Sequence, residues 1–133
     1  MGIIPHVQRA THLIGRHLEA ALAEVGVDQG EAHVLSALAA GPRSIAELVS
    51  TVGVKRSTLT NILDRLESRG LVRREINPRD RRSFLVEPTR GGKRAARKVA
   101  GKFADVDATL ARATSARERQ AFEAVLAKLE QLL

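Results

Sequence analysis

Apolar positions along this chain change their spacing several times, and each change predicts an element. Over residues 3–25, Ile3, Val7, Ala10, Ile14, Ala21 and Val25 recur close to a 3.5-residue rhythm, and Leu13, Leu18 and Leu22 widen the stripe. That pattern predicts a first helix, ended by Gly26. Asp28-Gln29-Gly30-Glu31 has the form of a capping box, an acceptor at the cap with Glu three residues on. It opens a second helix with Val34, Leu35 and Leu38 on its apolar face, stopped by Gly41-Pro42. Ser44-Ile45-Ala46-Glu47 repeats the signal for a short third helix carrying Ile45, Leu48 and Val49, broken by Thr51-Val52-Gly53-Val54. A fourth helix is expected from Lys55 to Arg69. Its Leu59, Ile62, Leu63 and Leu66 stand at i, i+3, i+4 and i+7, one narrow buried face, with Gly70 as its cap.

The helical spacing then gives way to two short β-type runs, Leu71–Ile76 and Ser83–Val86. The polar, Pro-containing segment Asn77-Pro78-Arg79-Asp80-Arg81-Arg82 between them predicts a hairpin. Thr89 starts a long basic helix to about Arg112, and Ser115-Ala116-Arg117-Glu118 is a third capping box. The last helix is expected to bury Phe122, Val125, Leu126, Leu129, Leu132 and Leu133. The predicted fold class is mostly α with a minor β part. A helix-turn-helix with a two-stranded hairpin wing occupies residues 28–102, between flanking helices at 1–26 and 103–133. The apolar surplus of the last helix exceeds what a monomer tolerates in water, so these flanking segments are assigned to dimerisation. Ile3 and Val7 join the six apolar residues of the last helix as expected dimer contacts.

Composition narrows the function classes. The chain has 133 residues, 44% of them apolar, enough for one ordered domain. Three Phe and no Trp or Tyr leave no aromatic platform for stacking single strands. The absence of Cys removes disulfides, Cys-zinc sites and thiol sensing. No apolar run approaches the ~20 residues of a membrane span, and Met1-Gly2-Ile3-Ile4-Pro5 does not read as a signal peptide. A cytoplasmic, nucleoid-associated protein is expected.

Charge is unevenly spread. Residues 1–53 carry a net −2, residues 54–102 a net +10 and residues 103–133 a net −1. Clustered Lys and Arg gain by displacing counterions from a phosphate backbone, so the middle segment points to a polyanion. A short helix, a glycine-containing turn and a longer helix suit duplex DNA, because one helix fits the major groove while the other braces it. On the fourth helix, Ser57 and Asn61 project opposite the buried stripe, with Thr58 and Arg65 on one edge and Thr60 on the other. Asn can pair bidentately with adenine, and Ser and Thr serve bases or phosphates. Lys55 and Arg56 at the helix start complete this candidate surface. In the wing, Arg79, Arg81 and Arg82 surround Asp80. An Arg on a hairpin can enter a narrow minor groove, and Asp80 can hold a neighbouring guanidinium through a charge-assisted fork.

These residues resemble the MarR-type (multiple-antibiotic-resistance) regulators over nearly the whole chain. The best-matching stretch runs from Ser57 to Val72 and continues through the wing, Asn77 to Arg82. The family's Asp-x-Arg is matched by Asp80 and Arg82, and its Thr-x-x-Gly by Thr89 and Gly92. The resemblance implies a homodimeric DNA-binding transcriptional regulator, a repressor in type. Its triangular dimer is built from the first and last helices. It also implies a small anionic or phenolic effector in the cleft between the dimer helices and the winged domain, with no pocket residues carried over. Pro88 departs from the family pattern and predicts an early end to the second strand. The missing Cys excludes the peroxide-sensing branch, and a short first helix shifts the dimer contact toward the last one.

His6, His12, His17 and His33 have no i, i+4 pair, so no helical metal clip is expected. Arg9, Arg16 and Arg43 are candidate carboxylate anchors. No phosphate loop, nucleophile elbow or His-Glu-x-x-His occurs, so neither an enzyme nor a cofactor is expected. The competing reading is a winged-helix module for DNA architecture or protein interaction, without sequence reading or effector.

Overall fold

Local capping chemistry sets most of the helix boundaries. The computed structural model describes residues 2–133. In chain order its elements are α1 (Ile3–Val25), α2 (Gln29–Leu38), β1 (Arg43–Ser44), α3 (Ile45–Val52) and α4 (Arg56–Ser68). They continue with β2 (Val72–Asn77), β3 (Asp80–Pro88), α5 (Arg90–Ala113) and α6 (Ala116–Leu132). Both halves of the capping box form at Asp28/Glu31 and at Ser115/Glu118. At Ser44 the Oγ accepts from Glu47 N at 3.1 Å, the forward half of the box. Gly26 and Gly53 end α1 and α3 in the left-handed conformation. Arg69 is the last partly helical residue of α4, so the expected cap Gly70 sits one place further on, at φ +70°.

Two compact units result, Met1–Lys102 and Phe103–Leu133, with α5 running from one into the other. The core of the first is leucine-built. Leu22, Leu35, Leu38, Leu48, Leu59, Leu63 and Leu66 are fully buried, as are Val34, Val72, Val86 and Val99. Each such side chain contributes about 1.5–3 kcal/mol relative to exposure. The predicted α4 stripe is the one buried, which fixes the orientation of its opposite face. On α1 only Gly15, Leu18 and Leu22 are buried, while Ile3, Ile4, Leu13 and Ile14 stay exposed.

The sheet differs from the expected two-stranded hairpin. It has three antiparallel strands in the order β1-β3-β2, because Arg43 and Ser44 pair with Val86 and Leu85. Two residues beside a helix cap carry no alternation, so β1 leaves no sequence pattern. β3 also does not end early at Pro88, which is its last residue and pairs with Val72. A terminal position tolerates a residue without N–H, and β1 pairs no further than Val86.

The turn into α5 explains the Thr-x-x-Gly spacing. Thr89 N donates to Leu71 O at 3.0 Å. The Thr89 hydroxyl donates to Gly70 O and accepts from Gly92 N at 3.1 Å. A Cβ on Gly92 would lie 1.9 Å from Leu71 O, so this close approach of helix and strand requires glycine.

In the second unit, Arg119 Nη1 donates to Thr114 O at 2.7 Å and Thr114 Oγ1 at 3.0 Å, stapling the α5–α6 turn. The expected burial of the last helix is not met within one chain. No residue of α6 is buried, and Phe122, Val125, Leu132 and Leu133 are exposed. Leu126 and Leu129 are half-buried, but the unit holds only α6 and the last part of α5, too little to bury a whole helix face.

Candidate nucleic-acid interface

Burial of Leu59, Ile62, Leu63 and Leu66 turns the remaining faces of α4 outward. Lys55, Arg56, Ser57, Thr58, Thr60, Asn61 and Arg65 are all exposed. Among the described residues, the side chains of Ser57, Thr58 and Asn61 have no hydrogen-bond partner. No side chain caps the start of α4, so its first N–H groups and the positive end of its dipole remain available to an anion. Thr60 is less free than expected, since its hydroxyl donates to Arg56 O at 3.0 Å.

Arg65 also has a partner that the sequence did not suggest. Its Nη2 donates to Asp28 Oδ2 at 3.3 Å, while Asp28 Oδ1 accepts from Glu31 N at 2.8 Å. Two further ion-pair sets fix α4 in place. Arg69 Nη1 reaches the buried Glu31 at 2.9 Å, and its Nη2 donates to Gly26 O. Arg74 on β2 spans Asp64 at 2.7 Å and Glu67 at 3.1 Å, tying the base of the wing to α4. This guanidinium holds the Glu67 carboxyl below the usual carboxylate range, and the carboxylates raise Arg74 in return. Sequence reasoning missed these contacts because each joins residues on different elements, which only their packing brings together.

The wing is tighter than the expected six-residue loop. Asn77 pairs with Asp80 across Pro78-Arg79, while Ile76 pairs with Phe84. Arg81, Arg82 and Ser83 therefore have no partner residue on β2 and lie in an irregularity of β3. Asn77 Oδ1 accepts from Arg79 N at 3.0 Å, and Asn77 Nδ2 donates to Ser83 Oγ at 3.3 Å. Asp80 Oδ1 accepts from Arg82 N at 3.1 Å and lies 3.4 Å from Arg82 Nε. Arg82 is 94% exposed, so its guanidinium extends into solvent from a fixed root.

A cleft of about 890 Å³ adjoins the α4 face. Its lining includes His12, Arg16 and Glu19 from α1 and Thr58, Asn61 and Arg65 from α4. Of the expected anchors and histidines, only Arg16 and His12 lie there. Among the described residues no three His, Asp or Glu side chains converge on a point. Among the described residues no helix is long and apolar enough to cross a membrane.

Residues 25–83, which contain the whole α2–wing assembly, match the model of the MarR family. Residues 25–83 of the chain are thus a MarR-type winged segment. A crystal structure of a mutant MarR from E. coli complexed with operator DNA is 27% identical, with a TM-score of 0.78 over 97% of this chain and 99% of that one. MepR from S. aureus, solved in its DNA-binding conformation, has the same fold at 20% identity, with a TM-score of 0.89 over 100% of both chains. The HTH-type transcriptional repressor NicR of Pseudomonas putida is 42% identical over 52 residues, 39% of this chain. The matches to NicR and to a second curated relative span 33% and 36% of those proteins' own lengths. The similarity to MarR proteins thus covers the winged segment in sequence and the whole chain in fold.

Proposed function

We propose that this chain is a MarR-type homodimeric, sequence-specific DNA-binding repressor of transcription. In this reading α4 lies in the major groove, with Ser57 and Asn61 on base edges. Lys55, Arg56, Thr58, Thr60 and Arg65 hold the backbone, and Arg82 enters the minor groove with Arg79 and Arg81 on flanking phosphates. The observation that carries it is the face of α4. Its Ser57, Thr58 and Asn61 side chains are unengaged and stand outside the buried Leu59/Ile62/Leu63/Leu66 stripe. The solved MarR with operator DNA supports the DNA partner, and the NicR similarity supports repression. The exposed apolar residues of α6 support self-association, and those of α1 do so separately. The chain acts where the chromosome is.

An anionic or phenolic effector fits the cleft beside α4. A carboxylate held by Arg16 and Arg65 occupies the surroundings of Thr58 and Asn61 and competes with DNA for them. Release from DNA by such a compound, lost in Arg16→Ala, is the expected behaviour.

The deciding experiment measures binding to a site enriched from random-sequence duplex DNA. Asn61→Ala should reduce discrimination at one base pair by about 1–3 kcal/mol. An unchanged specificity ratio would show that α4 is not the reader and would favour a module that binds without reading sequence. Light scattering at micromolar concentration should give twice the 14.4 kDa chain mass, and a monomer would remove the dimer from the proposal.

A further inference from the structure

More of the middle segment's basic excess lies on the first half of α5 than on the α4–wing stretch. Residues 54–89 hold nine basic and five acidic groups, whereas residues 90–102 hold six basic groups and no acid. Most cations of the first stretch are committed. Arg65, Arg69, Arg73, Arg74 and Arg82 all make ion pairs. On α5, Lys102 pairs with Glu24 at 2.7 Å. Arg90, Lys93, Arg94, Arg97 and Lys98 are exposed, and among the described residues they have no hydrogen-bond or ion-pair partner.

This arrangement works against the helix that carries it. The five cations are spaced three and four residues apart, where like charges repel and destabilise a helix. They also crowd its N-terminal half, where the macrodipole disfavours positive charge. A polyanion relieves both. Gly92, Ala95, Ala96 and Val99 form the buried face, so the cations fan over roughly 140° of the opposite surface at 3.6 residues per turn. A convex fan of this kind suits an extended phosphate backbone better than a small enclosed ligand. At its edge, Arg73, Thr89, Arg90, Lys93 and Arg97 line a shallow pocket of about 360 Å³. Glu87 and Glu75 offset only Arg73 there, through its Nε.

The fan lies away from the groove-reading side chains. Thr89, at the start of α5, bonds Gly70, just past the end of α4. Ser57 is twelve residues before Arg69, roughly 18 Å along the helix. The wing tip is a strand length from Val72, roughly 17 Å. We infer that the first half of α5 is a second, sequence-independent surface for DNA phosphates lying outside the stretch engaged by α4 and the wing. The proposal rests on the DNA-binding reading for the identity of the polyanion.

The test compares the full chain with an Arg90→Gln/Arg94→Gln/Arg97→Gln variant on two duplexes. One carries only the site enriched from random-sequence DNA. The other adds about 20 base pairs, roughly two helical turns, on each side. The wild type should show a steeper salt dependence on the long duplex, by about 0.9 in log–log slope for each added phosphate contact. Alternatively, its complex with the short duplex should capture a second, labelled duplex, which identifies another DNA molecule as the source of the phosphates. The variant should lose whichever behaviour is seen and keep its affinity for the short duplex, which also shows that it is folded. If neither behaviour occurs, or the variant retains it, the inference is overturned. An equal loss on both duplexes would instead make α5 part of the reading surface. Tripolyphosphate binding that the variant lacks, with identical slopes on both duplexes, would assign the fan to a small polyanion. If the wild type fails to bind even the short duplex, it is the DNA-binding reading that falls.

Discussion

Asp28 holds two elements at once: one carboxylate oxygen caps α2 and the other grips Arg65 of α4 at 3.3 Å. The Arg65–Asp28 pair is about half exposed on each side, so as a surface ion pair it is worth at most about 1 kcal/mol. Its consequence lies in where Arg65 points. Asp28→Asn keeps a capping oxygen and releases the guanidinium. Its stability should stay within about 0.5 kcal/mol of wild type, since Asn caps about as well as Asp. Non-specific DNA affinity should rise as Arg65 is freed. Arg65→Ala should weaken binding to all sequences and flatten the salt slope. Chemical denaturation and binding isotherms at two salt concentrations check both.

Asp80 braces the wing through the Arg82 backbone N–H and Nε. Removing a negative charge beside DNA should tighten binding on simple electrostatic grounds. The brace predicts the opposite for Asp80→Ala, because ordering a freed Arg82 costs up to about 2 kcal/mol in side-chain entropy. Weaker binding is expected at both low and high salt. Arg82→Ala should lose most where flanking DNA is A·T-rich, since narrow grooves attract Arg most. Tighter binding by Asp80→Ala at both salts would reduce the wing to a cluster of charge.

Gly92→Ala places a methyl 1.9 Å from a backbone oxygen, and backbone cannot move aside as a flexible side chain does. The substitution should cost about 3 kcal/mol or more. Gly101→Ala on the same helix meets nothing within 4 Å and should instead stabilise by up to about 1 kcal/mol. Thermal melts of the two variants should move in opposite directions.

The wing-base ion pairs predict a pH dependence. Arg74 depresses the folded-state pKa of Glu67 below its ordinary value. A depressed carboxylate contributes stability that is present above the unfolded value, about 4.3. That stability is lost as pH falls through the folded pKa. Wild type should therefore lose more melting temperature between about pH 5 and about pH 3, either side of the ordinary Glu value, than Glu67→Gln does. The effect is small, since both partners are partly solvated. Equal losses would mean that the pair contributes nothing measurable.

Much of the fold was set locally and could be read from the chain. Capping residues, left-handed glycines and the Leu59/Ile62/Leu63/Leu66 stripe act over a few residues, and one helical stripe buried means the opposite one is presented. The Asp80–Arg82 contact was also readable, because residues two apart on extended backbone share a side. Other features depended on tertiary structure. Glu31 and Arg69 lie 38 positions apart, and Asp28 and Arg65 lie 37 apart. An ion pair at that separation forms only where packing delivers both ends. β1 exists because β3 passes beside Arg43 and Ser44. The sequence showed a net +10 over residues 54–102 without locating it. Net charge has no geometry, and only the folded chain separates cations already neutralised by Asp and Glu from the unpaired row on α5.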